Sequence, residues 1–157
     1  LAAGDMAMDI VDYSKFIQIN LQGLNGKSNY LSQRSFEALH FKIEGYSYGW
    51  GNSVSGEQKL SFHDGSGGTY YCHTILIPQR DLAIVVMTNS AEDKHVEGIY
   101  QLRGMLIANE KKNTVANNGY KNIGRKSGFR KFSALSKFYL WRTGKCSEMP
   151  YVSYPSR

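Results

Sequence analysis

Residues 61–69 read Ser-Phe-His-Asp-Gly-Ser-Gly-Gly-Thr. Within this run His63 can bind a carboxylate or help move a proton near neutral pH. Gly65 and Gly68 let backbone approach a bound group closely. Backbone N–H groups near Ser66 can donate to a developing oxyanion. The alternative is a plain hairpin, with glycines that serve only turn geometry and a surface histidine.

The elements around this run set what it can become. Asp9 can cap a helix, and Ile10, Tyr13, Phe16, Ile17 and Leu21 follow at helical spacing. The spacing predicts a helix over 10–22, with Gly23 as its stop. Ser32 can cap a second, short helix that carries Phe36, Leu39 and His40 on one side. From Gly45 the period changes. Residues 46–52 are aromatic and glycine-rich, which suits a closely packed strand. Further strands are expected at 59–63, 69–77 and 82–89, with His63 ending the first and the glycines in the turn after it. The last strand, Leu-Ala-Ile-Val-Val-Met-Thr-Asn, is apolar on both faces, so the sheet should be covered on both sides. Ser90-Ala-Glu-Asp93 opens a helix carrying Val96, Ile99, Tyr100, Arg103, Leu106 and Ile107 along one stripe. The fold class is therefore α+β: an antiparallel meander of about four strands flanked by helices.

Charge divides the chain in two. Residues 1–110 have a net charge of −4, and residues 111–157 a net charge of +10 with Glu148 as their single acid. The first part reads as the folded unit and the second as a basic, poorly ordered tail. Its residues 129–141 could form an amphipathic helix, with Phe129, Phe132, Leu135 and Tyr139 on one face. Basic residues interleaved with aromatics can attract nucleic acid or an anionic surface, but nothing here marks a specific nucleic-acid binder. No run of about 18 apolar residues occurs, so no membrane-spanning helix is expected. Cys72 and Cys146 are the two cysteines. They give no disulfide framework; Cys72 is expected buried in a strand, and a bridge between them requires the tail to dock. Cys72 and His73 are a poor metal pair, because neighbours on a strand point to opposite faces. No zinc or calcium signature and no cofactor motif is found.

Four stretches, in order, resemble the C-terminal portion of the serine β-lactamase-like hydrolases: class C β-lactamases, related esterases and penicillin-binding D,D-peptidases. Residues 2–6 with Asp9-Ile-Val-Asp12-Tyr-Ser-Lys-Phe16 resemble the Ala-Gly-Gly segment and its following helix. Tyr48-Gly-Trp50-Gly resembles the Tyr-Gly-x-Gly-Trp strand, with the Trp shifted. His63-Asp-Gly65-Ser-Gly-Gly68 resembles the third motif, Lys/His-x-Gly. Residues 77–89 resemble the paired strands after it. The resemblance spans roughly residues 1–108.

It implies acyl transfer on a small β-lactam, ester or peptide substrate. His63 would contact the substrate carboxylate or the proton network, Gly65 would keep the strand edge open, and the Ser66 N–H would donate to the oxyanion. Asp64 and Gly68 carry over to the substrate-binding wall by position. The resemblance also implies a periplasmic or extracellular location. No Ser in residues 1–110 has Lys three positions on, so the nucleophile motif is absent and the chain alone is expected to be inactive. Four strands without the rest of the family sheet would leave an edge open to self-association. The alternative function is a non-catalytic binding or interaction module with a basic tail.

Overall fold

A computed structural model describes residues 4, 6–27, 30–115, 136–142 and 145–148, with side chains described through residue 109. Among these residues three α-helices and seven strands follow in chain order: α1 (Ile10–Leu24), α2 (Gln33–Phe41), β1 (Tyr46–Ser47), β2 (Trp50–Ser55), β3 (Gln58–Ser66), β4 (Tyr71–Ile77), β5 (Leu82–Thr88), α3 (Asp93–Val115), β6 (Ser136–Arg142) and β7 (Lys145–Glu148), with a short 3-10 turn at Pro78–Arg80. Every strand pairs antiparallel with its chain neighbour, so β1–β5 form a meander that β6 and β7 continue. The class is α+β, as the periodicity implies.

The two-sided apolar pattern of β5 has a direct cause. Ala83 and Val85 pack with Ile10, Ile17 and Leu21 of α1 and Phe36 of α2. Leu82, Ile84 and Val86 pack on the other face with Ile99 of α3. Helices therefore cover β5 from both sides, and no face of that strand needs polar residues. The Arg80 guanidinium donates to the Ile107 carbonyl at 3.0 Å and pins α3 to the β4–β5 connection.

Several boundaries differ from the sequence expectation, each for a physical reason. Asp9 caps α1 as expected, its carboxylate accepting from the Asp12 N–H at 2.9 Å. Gly23 does not stop that helix. A Cβ there would lie 2.2 Å from the Phe36 ring, so Gly23 is the point of closest approach between α1 and α2. Residues 46–52 form a tight hairpin instead of one strand. Tyr48 and Gly49 both have positive φ, 36° and 91°, as a two-residue β1–β2 turn requires. The basic segment also differs. Residues 136–142 are strand rather than amphipathic helix, and they pair with β5 from Ala83↔Trp141 to Thr88↔Ser136. The β5 edge that a four-strand sheet would leave bare is thus occupied. The remainder of the expected 129–141 helix lies outside the described residues. Among those residues no helix is long and apolar enough to cross a membrane.

Candidate functional site

β3 runs through to Ser66, three residues beyond the expected end. The ladder continues as His63↔Thr74, Asp64↔His73, Gly65↔Cys72 and Ser66↔Tyr71. His63 therefore stands within the strand, and so does Gly65. Only Gly67 and Gly68 lie in the turn, where Gly67 N–H donates to the Tyr70 carbonyl at 3.1 Å and Gly68 has φ of 85°.

Alternation along β3 sorts these residues by face. His63 lies on the side of α1 and α2, half-buried, with the Trp50 ring edge-on at 6.4 Å. Phe16 stacks on Trp50 from α1 at 6.3 Å and remains 46% exposed, so the wall beside His63 is aromatic and open. Among the described residues the His63 imidazole has no hydrogen bond or ion pair. A Cβ on Gly65 would meet nothing within 4 Å, which leaves clear space over the next residue of the same face. Thr74, directly opposite His63, donates its hydroxyl to the Tyr13 phenol at 3.1 Å. Burial pushes the Tyr13 phenol above its ordinary value. Tyr13 is therefore a neutral hydroxyl at pH 7 rather than a base. Cys72, on the same face, is a free thiol whose pKa burial raises to about 11.

Asp64 does not share this surface. Its carboxylate lies on the α3 side, 2.5 Å from His73 Nδ1, and it accepts from the Tyr100 hydroxyl at 3.0 Å. Tyr100 is in turn 3.0 Å from the Tyr71 hydroxyl. The structure thus brings His63, Gly65, Ser66 and Gly68 along one hairpin and removes Asp64 to a network of its own. Cys72 and His73 do point to opposite faces.

A second polar cluster has the outline of a Ser-His-Asn triad. His40 Nδ1 is 2.6 Å from Ser61 Oγ, and His40 Nε2 is 3.0 Å from Asn20 Oδ1. Ser61 and His40 are 0% exposed and Asn20 is 4% exposed, with Trp50 stacked over His40 at 4.3 Å. No substrate reaches Ser61, and burial holds His40 near a pKa of about 4. This cluster joins α1, α2 and β3; it is not a site of chemistry.

The sequence reading missed both networks. The Asp64–His73 pair follows from hairpin register alone. Once Ser66 pairs with Tyr71, residues 64 and 73 must be opposite. No family model, curated protein or solved structure matches the chain.

Proposed function

We propose that this chain is the C-terminal portion of a serine β-lactamase-like hydrolase, supplying one wall of an acyl-transfer site and not the nucleophile. The observation that supports this best is the half-buried imidazole of His63, which among the described residues makes no hydrogen bond or ion pair, with open space over Gly65 and the glycine turn just beyond. In this reading His63 meets the carboxylate of a small acyl substrate or its proton network. The Ser66 N–H supplies one oxyanion donor, and Phe16 and Trp50 form an apolar wall. Asp64 acts only by fixing the strand.

Among the described residues no activated nucleophile stands near His63; the Cys72 thiol on that face is held protonated, its pKa raised by burial to about 11. Ser61 is sealed against His40, and the Tyr13 phenol is held neutral by burial. Without covalent attack, binding and oxyanion donors leave only a residue of catalysis. The test is the coding sequence upstream of Leu1. A Ser-x-x-Lys followed by a Tyr motif, within roughly 60 to 200 residues as domain size suggests, is the expected result. Its absence would favour a non-catalytic binding module. Turnover of a chromogenic cephalosporin by the purified chain alone, lost in His63→Ala, would contradict the assignment of a missing nucleophile.

A further inference from the structure

β5 passes into α3 through residues 89–92, and Ser90 is the polar centre of that turn. Its backbone N–H donates to the Thr88 hydroxyl at 3.3 Å, and Thr88 is itself buried, so the serine is held against the end of the sheet. The Ser90 hydroxyl does not serve as an ordinary helix cap, which would accept from the second or third helical N–H. The Glu92 carbonyl takes the first helical donors instead, from His95 at 2.8 Å and Val96 at 3.1 Å. Ser90 Oγ lies 2.5 Å from His95 Nδ1, and the Glu92 N–H reaches Oγ at 3.5 Å. Oγ thus accepts from the backbone, and among the described residues its own hydrogen has one acceptor, Nδ1.

A serine hydroxyl directed at an imidazole nitrogen is the pairing that makes an oxygen nucleophile near neutral pH. The surroundings suit it. Ser90 is partly exposed, with Asn89 and residues 92–94 open to solvent around it, while the His95 side chain is only 10% exposed. The nucleophile can be reached and the base is shielded. The Glu92 carboxylate, 4.0 Å from Nδ1, favours the imidazolium that forms when the proton moves. It is 63% exposed and also bonded to Lys94 Nζ at 2.7 Å, so its contribution is small. An oxyanion hole is not built here, since the Glu92 N–H is the single backbone donor that bonds Oγ among the described residues.

We infer that Ser90 is a nucleophilic serine, with His95 as its base, that accepts an acyl group from a small activated ester. Ser90 Oγ bonds to the ester carbonyl carbon, and its proton passes to His95 Nδ1. The bond from that carbon to the leaving oxygen then breaks, and the leaving oxygen takes the proton from the imidazolium. The products are an ester on Ser90 and a free alcohol or phenol, with His95 neutral again. Without an oxyanion hole the reaction is confined to esters with a good leaving group, such as aryl esters, and the acyl group departs from Ser90 slowly. Two strand spacings, ~10 Å, separate β5 from β3, so Ser90 is not the nucleophile missing beside His63. The two readings stand or fall separately.

The intact chain is treated with p-nitrophenyl acetate at pH 7.5, nitrophenolate release is followed by absorbance, and the acetylated residue is located by peptide mass spectrometry. The expected result is that the first acetyl group added to each chain sits on Ser90, with a matching burst of nitrophenolate. His95→Gln should slow acetylation of Ser90 about 100-fold, the lower end of what a positioned base contributes. Ser90→Ala should remove the burst. The rate should fall on acidification, when a proton on Nδ1 removes the acceptor. Circular dichroism shows whether each variant is folded. If either unfolds, the wild-type chain decides: Ser90 should be acetylated about 100-fold faster in the native chain than in urea, where the pair with His95 is broken. A first acetyl group on Lys94 or any residue other than Ser90 would overturn the inference. So would equal Ser90 rates in native and urea-unfolded chains, a rate indifferent to acid, or a folded His95→Gln variant as fast as the wild type.

Discussion

His63 and Asp64 are neighbours in the chain, yet they face opposite sides of the sheet. His63 lies against Trp50, its imidazole without a hydrogen bond among the described residues, while Asp64 bonds His73 and Tyr100 beneath α3. The period of two along a strand makes this unavoidable. A slip of one residue in the β3–β4 register would exchange the two environments, placing a carboxylate by the aromatic wall and an imidazole in the network. The Asp64–His73 contact therefore also fixes where His63 points.

Replacing Asp64 tests that link. Asp64→Asn keeps the shape and removes the charge. Burial already lowers the His73 pKa, and the Asp64 hydrogen bond and charge partly oppose this. The variant should titrate His73 at still lower pH and lose about 1 kcal/mol of stability, the cost of weakening a charged hydrogen bond whose carboxylate side is partly open to solvent. His63→Ala, at a half-buried site without hydrogen bonds, should cost much less. NMR titration with urea denaturation checks both. An unmoved His73 titration would show that the contact is not formed in solution.

The parts of this fold legible in the sequence were those written in periodicity. The helical spacing from Ile10 to Leu21 and the doubly apolar run at 82–88 placed α1 and β5 and called for helices on both faces. What stayed hidden depended on partners distant in sequence. Gly23 looks like a helix stop until the Phe36 ring is seen against it. Tyr48-Gly49 looks like strand until both φ angles prove positive. In the candidate site, His63, Gly65, Ser66 and Gly68 were legible as a local run. The roles of Asp64, His73 and Tyr100 were not, since their meeting requires the register of a hairpin and the docking of α3.

His40 should make stability depend on pH. An unfolded histidine titrates near 6.5, while burial holds His40 at about 4. The unfolded chain therefore takes up a proton that the folded one resists. The contribution is complete above pH 6.5, declines as pH falls toward 4, and is gone below that value. Its size is about 3 kcal/mol. His73 acts in the same direction, so the informative comparison is with His40→Gln. That variant should lose roughly 1–3 kcal/mol at pH 7.5, from the broken bonds to Ser61 and Asn20, and show a shallower decline between pH 6.5 and 4. Parallel stability curves for the two proteins would refute this account.

Gly23→Ala sets helix propensity against packing. In an exposed helix interior the change would gain about 1 kcal/mol. Here the new Cβ would fall 2.2–2.4 Å from three ring carbons of Phe36, which is itself buried. Overpacking of this kind costs typically 1–3 kcal/mol, so the variant should be less stable. Pairing it with Phe36→Leu should recover part of the loss, and the coupling energy from the four proteins should be favourable to the double variant. Additive effects would mean that α1 and α2 do not meet at this point.

Cys72 should be a slow thiol. Burial is the largest cause raising its pKa from 9.0 to about 11; the Asp64 charge adds to this and the Thr74 hydroxyl opposes it. The thiolate is the reactive form, so at pH 7.5 its population should be about 100-fold below that of an unperturbed thiol. Iodoacetamide should therefore alkylate Cys72 about 100-fold more slowly in the native chain than in urea, read by mass spectrometry of the peptide that contains it. Thr74→Val removes the contact at 3.9 Å that favours the thiolate, and should slow the native reaction further. Native alkylation as fast as in urea would place Cys72 in open solvent and would contradict the packing of β4 against α1.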